Sequence, residues 1–222
     1  MNHTQELYLC ALKPKGGFGL SDHIYELLSV SGILELLEGG FIIKDEKDRL
    51  LAEKDLGLEL PYLKSLYEYI VSRKKPTKIE TIVTDYSNAF GKPIYTFIQA
   101  IGDSLAEQNA VTIETSKKML GGTKTKYLPV GSSVTHVIEK IRAEILEEGV
   151  MSDETVILAI LLQKAGIIKD FFSKVESAQL KNRLKELKQN ESYKDIAKVI
   201  EYIESIIAIA VILPAITATP GN

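Results

Sequence analysis

The chain has no tryptophan, one cysteine and three histidines in 222 residues. A lone Cys10 excludes an internal disulfide framework and a multi-thiolate metal cluster, and it suits a reducing compartment. His3, His23 and His136 lie far apart and form no H-E-x-x-H pair, so they read as surface or helix-boundary residues and no metal site is expected. A dominant charge is also lacking. The net charge of −3 gives no bulk attraction for nucleic acid or anionic lipid, so either would need a local patch. No apolar run reaches the ~20 residues that span a bilayer. The opening MNHTQELYLCAL has no basic region before its apolar residues and does not read as a signal peptide. No low-complexity linker divides the chain, so one domain is expected over 1–222, with a disordered tail at 217–222.

What is present is helical. The stretch from Val156 to Phe172 is the most apolar candidate, a helix buried on all sides around which the rest is expected to pack. Ser152 reads as its N-cap, and Gly166 as a break or bend. Thr4 is placed to cap a helix through Leu12, followed by a turn over Lys13–Gly19. Ser21 reads as the cap of a helix ending at Gly39-Gly40, with a small hairpin after it around Asp45–Asp48. Leu63, Leu66, Tyr67 and Ile70 recur at helical spacing. Thr77 and Glu80 have capping-box spacing ahead of Ile79, Ile82, Val83 and Tyr86. Pro93 opens a helix with Ile94, Phe97, Ile98, Ile101 and Leu105 on one face. A second hairpin is expected from Val111–Thr115 and Thr123–Leu128, turning at Gly121-Gly122. Ser133 then reads as the cap of a helix closed by Gly149, Lys174–Lys188 as a solvated helix, and Ile196–Leu213 as a last helix ended by Pro214. The apolar Ile206–Ile216 reads as core rather than anchor. The fold class is therefore mainly α, one helical domain with two small β-hairpins.

The usual catalytic and phosphate-binding signatures are missing. Gly16-Gly17-Phe18-Gly19 lacks dinucleotide spacing and follows no clear strand. Gly121-Gly122-Thr123-Lys124-Thr125 lacks the spacing of a P-loop, and Gly131-Ser132-Ser133 lacks that of a nucleophile elbow. No catalytic group is nominated, no cofactor is expected, and the chain reads as non-enzymatic; a polar buried pocket would raise the alternative of a small-ligand enzyme. The second hairpin carries the functional signal. Lys117, Lys118, Lys124 and Lys126 ring an apolar tip of Met119 and Leu120, which suits contact with an anionic membrane. The alternative is that Met119 and Leu120 pack on a neighbour or mediate self-association. A third reading takes Thr77–Tyr86, Pro93–Glu107 and the hairpin as a winged helix on DNA. Against it, Pro93–Glu107 has no Lys or Arg and carries Asp103 and Glu107.

Several segments, in order, resemble the Golgi phosphoprotein 3 family. Glu6-Leu7-Tyr8-Leu9-Cys10-Ala11-Leu12 resembles its opening E-L-L-L-L-A-L helix, and Ile33–Ile42 its L-x-E-L-x-x-x-G-x-L/I segment. Leu105–Val111 resembles L-x-E-x-G-V/L, Thr123–Pro129 a strand of R-x-R-Y-P-L type, and Leu158–Ile168 the A-L-x-x-L-x-x-A-x-x-L helix. The resemblance covers about Thr4–Ile212 and implies a mostly helical domain around a buried apolar helix. It also implies a cytoplasmic adaptor, peripheral on the membrane, that binds phosphatidylinositol 4-phosphate in eukaryotic members and retains Golgi glycosyltransferases, its hairpin serving membrane contact and self-association. In those members the lipid pocket uses a Trp and several Arg. Gly19–Leu37 and Ile94–Leu105, where these should lie, contain neither Lys, Arg nor Trp.

Overall fold

A computed structural model describes residues 1–19, 23–87, 92–117, 123–147, 152–190 and 193–208, and its centre holds two buried helices. The first is the expected one. Helix α7 spans Asp153–Lys164, and Val156 through Leu162 are all buried. Ser152 caps it, its Oγ accepting the Thr155 N–H at 3.3 Å. The helix stops short of Phe172, because Gly166 adopts φ +69°, a conformation that ends helices cheaply only at glycine. A 3₁₀ turn, Ile168–Asp170, follows, and Phe172 remains in the core.

The second central helix is α1, His3–Ala11, of which every residue is buried. It packs on α2 (Ile24–Glu38), α5 (Lys92–Glu107), α6 (Gly131–Ile141) and α7. Thr4 does not cap it, since the helix begins one residue earlier. The Thr4 N–H instead donates to Glu35 Oε1 at 2.7 Å. Burying a helix N-terminus leaves N–H groups that water cannot reach, so a carboxylate from α2 meets one of them. Tyr62 donates to the other Glu35 oxygen at 2.5 Å, and Asn2 Nδ2 donates to the Tyr62 hydroxyl at 2.9 Å. His3 is a boundary residue, as its position in sequence suggests, but not a surface one. It is 1% exposed, with Nδ1 2.7 Å from Ser31 Oγ. At the other side Lys140 of α6 clasps Glu6 with both oxygens at 2.7 Å.

The remaining elements wrap this pair. Strands β1 (Ile42–Lys44) and β2 (Arg49–Ala52) form the first hairpin, closed by Asp45, which accepts the Arg49 side chain and the Arg49 and Lys47 N–H groups. Those bonds hold its carboxyl down at about 2. The sheet has a third strand that the capping-box reading missed. Thr77–Lys78 is β3, paired with β2 as Leu50↔Thr77 and Arg49↔Lys78. Pro76 disfavours helical backbone at Lys75, and the extended chain then finds the open edge of β2. Helices α3 (Lys64–Val71) and α4 (Ile79–Ser87) flank β3, and α5 follows. Strands β4 (Val111–Lys117) and β5 (Thr123–Pro129) make the second hairpin. The helix after it starts at Gly131 with Val130 as its N-cap, which places Ser133 inside its first turn rather than at the cap. It runs into a π-type turn, Arg142–Leu146. Helix α8, Lys174–Gln189, is solvated except for Leu180, Leu184 and Leu187, which are buried against α9 (Lys194–Ile207) and their other neighbours. The proposed caps and stops at Ser21, Gly121-Gly122, Gly149 and Pro214 lie outside the described residues, as do the end of the last helix from position 209 onward and the tail at 217–222.

Among the described residues, no helix is long and apolar enough to cross a membrane. Burial pushes the Cys10 thiol up to about 12, with Glu6 reinforcing the shift, so the thiolate is scarce at neutral pH. Cys10 should resist a thiol reagent at pH 8 in the folded protein and react fully in denaturant. Glu35→Ala strands the Thr4 N–H and the Tyr62 hydroxyl and should cost about 3 kcal/mol in urea unfolding, against about 1 kcal/mol for Tyr62→Phe.

Candidate functional site

The base of the β4–β5 hairpin is fixed by one close approach. The Tyr127 ring of β5 lies over Gly102 of α5, where a Cβ would fall 2.6 Å from the ring. Only glycine fits, so the ring seats the ribbon on the helix. The Tyr127 hydroxyl donates to Asp103 at 2.7 Å, and burial followed by this carboxylate raises its pKa. Beyond the seat the ribbon has little protein cover: Thr112–Lys117 and Thr123–Thr125 are exposed. Two strands alone are marginally stable in water, so the seat carries much of the order of this element.

Of the residues expected to form the site, Lys117 and Lys124 are exposed and Lys126 is half-buried. Lys118, Met119 and Leu120 lie outside the described residues. The register sets Lys124 opposite Ser116 and Lys117 opposite Thr123. It also sets Glu114 opposite Lys126, a neighbouring carboxylate that the sequence reading left out. Among the described residues, none of the three lysines is held in an ion pair.

A cavity of about 550 Å³ opens between this hairpin, α1, α5 and the Lys13–Gly19 turn. Lys124 and Lys126 line it; Lys117 does not. The rest of the wall was not foreseen: Tyr8, Phe18, Tyr25, Tyr95 and Gln99. Gly16 and Gly17, at φ +77° and +76°, bend the turn so that Phe18 reaches the ring of Tyr8, edge to face at 5.2 Å. Tyr25 continues the cluster at 5.8 Å from Phe18, and Tyr127 lies 6.4 Å from Tyr8. A Lys13–Asp170 ion pair at 2.9 Å and a Leu12–Phe18 bridge tie the turn down. Besides Lys124 and Lys126, the sequence signal at this site is the Gly16-Gly17-Phe18-Gly19 run, which reads locally as a turn.

A second, more polar cavity of about 310 Å³ is lined by Asn2, His3, Glu6, Glu35, Glu38, Lys140 and Glu154, among others. His3 links Ser31 at 2.7 Å to Glu38 at 3.3 Å, which has the partners of a nucleophile relay. Ser31 is fully buried, does not line the cavity and accepts the Thr4 hydroxyl at 2.9 Å, so no substrate reaches its oxygen. The carboxylates of Glu6 and Glu35 are likewise occupied by Lys140, Thr4 and Tyr62. Among the described residues, no cluster of His, Cys, Asp and Glu is arranged to hold a metal ion.

The winged-helix order is present in α4, α5, β4 and β5, but the short strand ahead of it, β3, pairs with β2 and not with the β4–β5 ribbon. The outward face of α5 carries Tyr95, Gln99, Asp103 and Glu107, with no described cation to meet phosphate. Gly102→Ala should lift Tyr127 from its seat at a cost of about 1–3 kcal/mol. Hydrogen exchange should then accelerate across β4 and β5 while α1 and α7 stay protected.

No curated protein matches the chain. The sequence model of one family, Golgi phosphoprotein 3 (GPP34), matches residues 4–203. That span takes in both central helices, the cavity and the hairpin, and the segments in which the family's pocket residues were sought supply Tyr25, Tyr95, Ile98 and Gln99 to the cavity wall. The chain belongs to the Golgi phosphoprotein 3 family.

Proposed function

We propose that the protein is a non-enzymatic peripheral membrane adaptor that docks on anionic lipid from the cytoplasmic side through its β4–β5 hairpin. The observation that carries this reading is the free-standing ribbon itself, on which Lys117, Lys124 and Lys126 stand without ion-pair partners among the described residues. Lysines held near an anionic surface contribute about 1 kcal/mol each, and Lys118 adds a fourth by sequence. Met119 and Leu120, which fall between the two strands in sequence, supply apolar side chains for insertion into the interface. The family's phosphatidylinositol 4-phosphate mode relies on Arg and Trp, whereas the cavity wall here has Lys, Tyr and Gln, so generic anionic contact is the better-supported mode.

A second reading has the same ribbon join two copies of the chain. It is favoured by Ile113, which is 46% exposed on β4, and by the marginal stability of two lone strands. Liposome co-sedimentation separates the two readings. Changing Lys117, Lys118, Lys124 and Lys126 together to Glu should lower binding to phosphatidylglycerol vesicles roughly a thousandfold with helicity unchanged. Raising the salt should weaken wild-type binding. Unaltered binding by the variant would retire the lysine contact. Sedimentation of a dimer that depends on Met119 and Leu120, with no affinity for vesicles, would establish the self-association reading in its place.

A further inference from the structure

Charge is segregated along the chain in a way that the net value of −3 hides. Residues 164–188 carry seven basic and three acidic side chains, and residues 45–59 carry six acidic and three basic. The basic excess stands on the outer face of α8. Lys174, Lys181, Lys185 and Lys188 fall at i, i+7, i+11 and i+14, which makes one row about 21 Å long. The carboxylates of the same helix do not neutralise it, since Glu176 is bound by Arg142 at 3.0 Å and Glu186 by Arg183 at 2.9 Å. Lys188 pairs with Glu204 of α9 at 2.8 Å. Lys174, Lys181 and Lys185 are exposed and, among the described residues, in no ion pair. Beside the row stands Val175, 67% exposed. Ala178 is small, and Lys174, Val175, Lys181 and Asn182 surround it at helical spacing, which leaves a notch of the knobs-into-holes kind. Farther along the same face, Asn182, Lys185 and Gln189 border an open cavity of about 470 Å³.

The acidic excess ends in the loop 53–60, which displays one leucine. Leu56 is 2% exposed and anchors the loop, whereas Leu58, two residues on, is 91% exposed. Gly57 reverses the chain between them at φ +55°, and the Glu59 N–H closes the turn on the Leu56 carbonyl at 3.3 Å. Tyr67 holds the loop from α3, its hydroxyl donating to the Lys54 carbonyl at 3.0 Å. The Lys54 ammonium is drawn back over the Phe41 ring, 4.2 Å from its centroid, and toward Glu59 at 3.6 Å. Glu53 and Asp55 are exposed and, among the described residues, in no ion pair. The turn is a preformed apolar knob with a carboxylate rim, so docking it costs little ordering of the chain.

One exposed apolar side chain needs no explanation. Here the two most exposed large ones among the described residues, Leu58 and Val175, stand among charges of opposite sign. Among the described residues, no ion pair joins the two surfaces within one molecule. We infer that a second copy of the chain seats its 53–60 turn on the outer face of α8, Leu58 entering the notch at Ala178 beside Val175, and Glu53 and Asp55 meeting Lys174, Lys181 and Lys185. A notched and concave face suits a small rigid turn better than a flat bilayer, and Glu186 in the cavity wall disfavours a phosphate backbone. Because the two surfaces differ, the contact is heterologous, and copies join head to tail in a ring or an open chain. The contact uses neither the β4–β5 hairpin nor its lysines, and it holds whether or not the hairpin meets lipid.

Sedimentation velocity of the full chain tests the inference. The wild type should associate at about 0.01 M salt and come apart toward about 1 M, as the Debye length falls from about 30 Å to about 3 Å. Lys174→Glu/Lys181→Glu/Lys185→Glu and Glu53→Lys/Asp55→Lys should each weaken association roughly tenfold at low salt, the combined worth of several exposed ion pairs. An equimolar mixture of these two variants should associate again, because each supplies the charge that the other has lost. Leu58→Ser, which alters no charge, should weaken association by a similar factor. A wild type that stays monomeric at low salt overturns the inference, as does association that survives both charge variants. Loss in both variants without recovery on mixing, their folds intact by near-ultraviolet circular dichroism, overturns it too. Should a charge variant fail to fold, Leu58→Ser decides, and association unchanged by it overturns the contact. A lysine-row variant that still associates but no longer binds phosphatidylglycerol vesicles assigns the row to lipid and overturns the inference as well.

Discussion

The architecture depends on satisfying the N-terminus of α1 in a place that water does not reach. Glu35, 4% exposed, accepts the Thr4 N–H and the Tyr62 hydroxyl, and so fixes α1 against α2 and against the short 3₁₀ turn at Pro61–Leu63. A buried carboxylate without these donors would be costly, and donors without the carboxylate would be orphaned; each requires the other. Glu6 and Lys140 repeat the device toward α6. With its first turn pinned, α1 delivers Tyr8 and Leu12 to the far side of the molecule, where they become the wall of the cavity. The polar staple at one end of the helix thus sets the geometry of the candidate site at the other.

Much of the scaffold was legible because its signal is local. The run Val156–Leu162 has no polar face to show to water, and it is buried throughout. Ile94, Phe97, Ile101 and Leu105 of α5 lie on one stripe and are all buried, as the helical spacing requires. The alternation of Thr123–Tyr127 likewise made β5 readable. What escaped was decided by partners distant in sequence. His3 reads as a surface or helix-boundary residue and Thr4 as a cap, yet His3, Thr4, Gln5 and Glu6 are all buried because Ser31, Glu35, Ser104 and Lys140 wait for them. Thr77 looks like a cap, and the open edge of β2 makes it a strand.

The candidate site divides along the same line. Charge density on a hairpin can be read from composition and alternation, as at Lys117, Lys118, Lys124 and Lys126. A cavity cannot, because it is the space left between elements. Tyr8, Tyr25, Tyr95 and Gln99 come from three helices, and each taken singly looks like an ordinary amphipathic position. The positive φ values of Gly16 and Gly17 bring Phe18 into the aromatic cluster, and no property of the residues 13–19 alone distinguishes that bend from any surface turn. Family membership does not supply the chemistry of the cavity wall, where tyrosine and glutamine stand and no tryptophan is present.

The seating of Tyr127 on Gly102 has a thermodynamic corollary. The strand that carries the ring is also a wall of the cavity, so the free energy of holding the ribbon in place and the free energy of filling the space beneath it are not separable. An occupant adds contacts to β5 and narrows the excursions of an otherwise sparsely supported ribbon. Reciprocity then requires that a surface which immobilises the ribbon strengthen the occupant's binding by the same factor. Whatever steadies the ribbon and whatever fills the space beneath it would in this way reinforce one another through one small element.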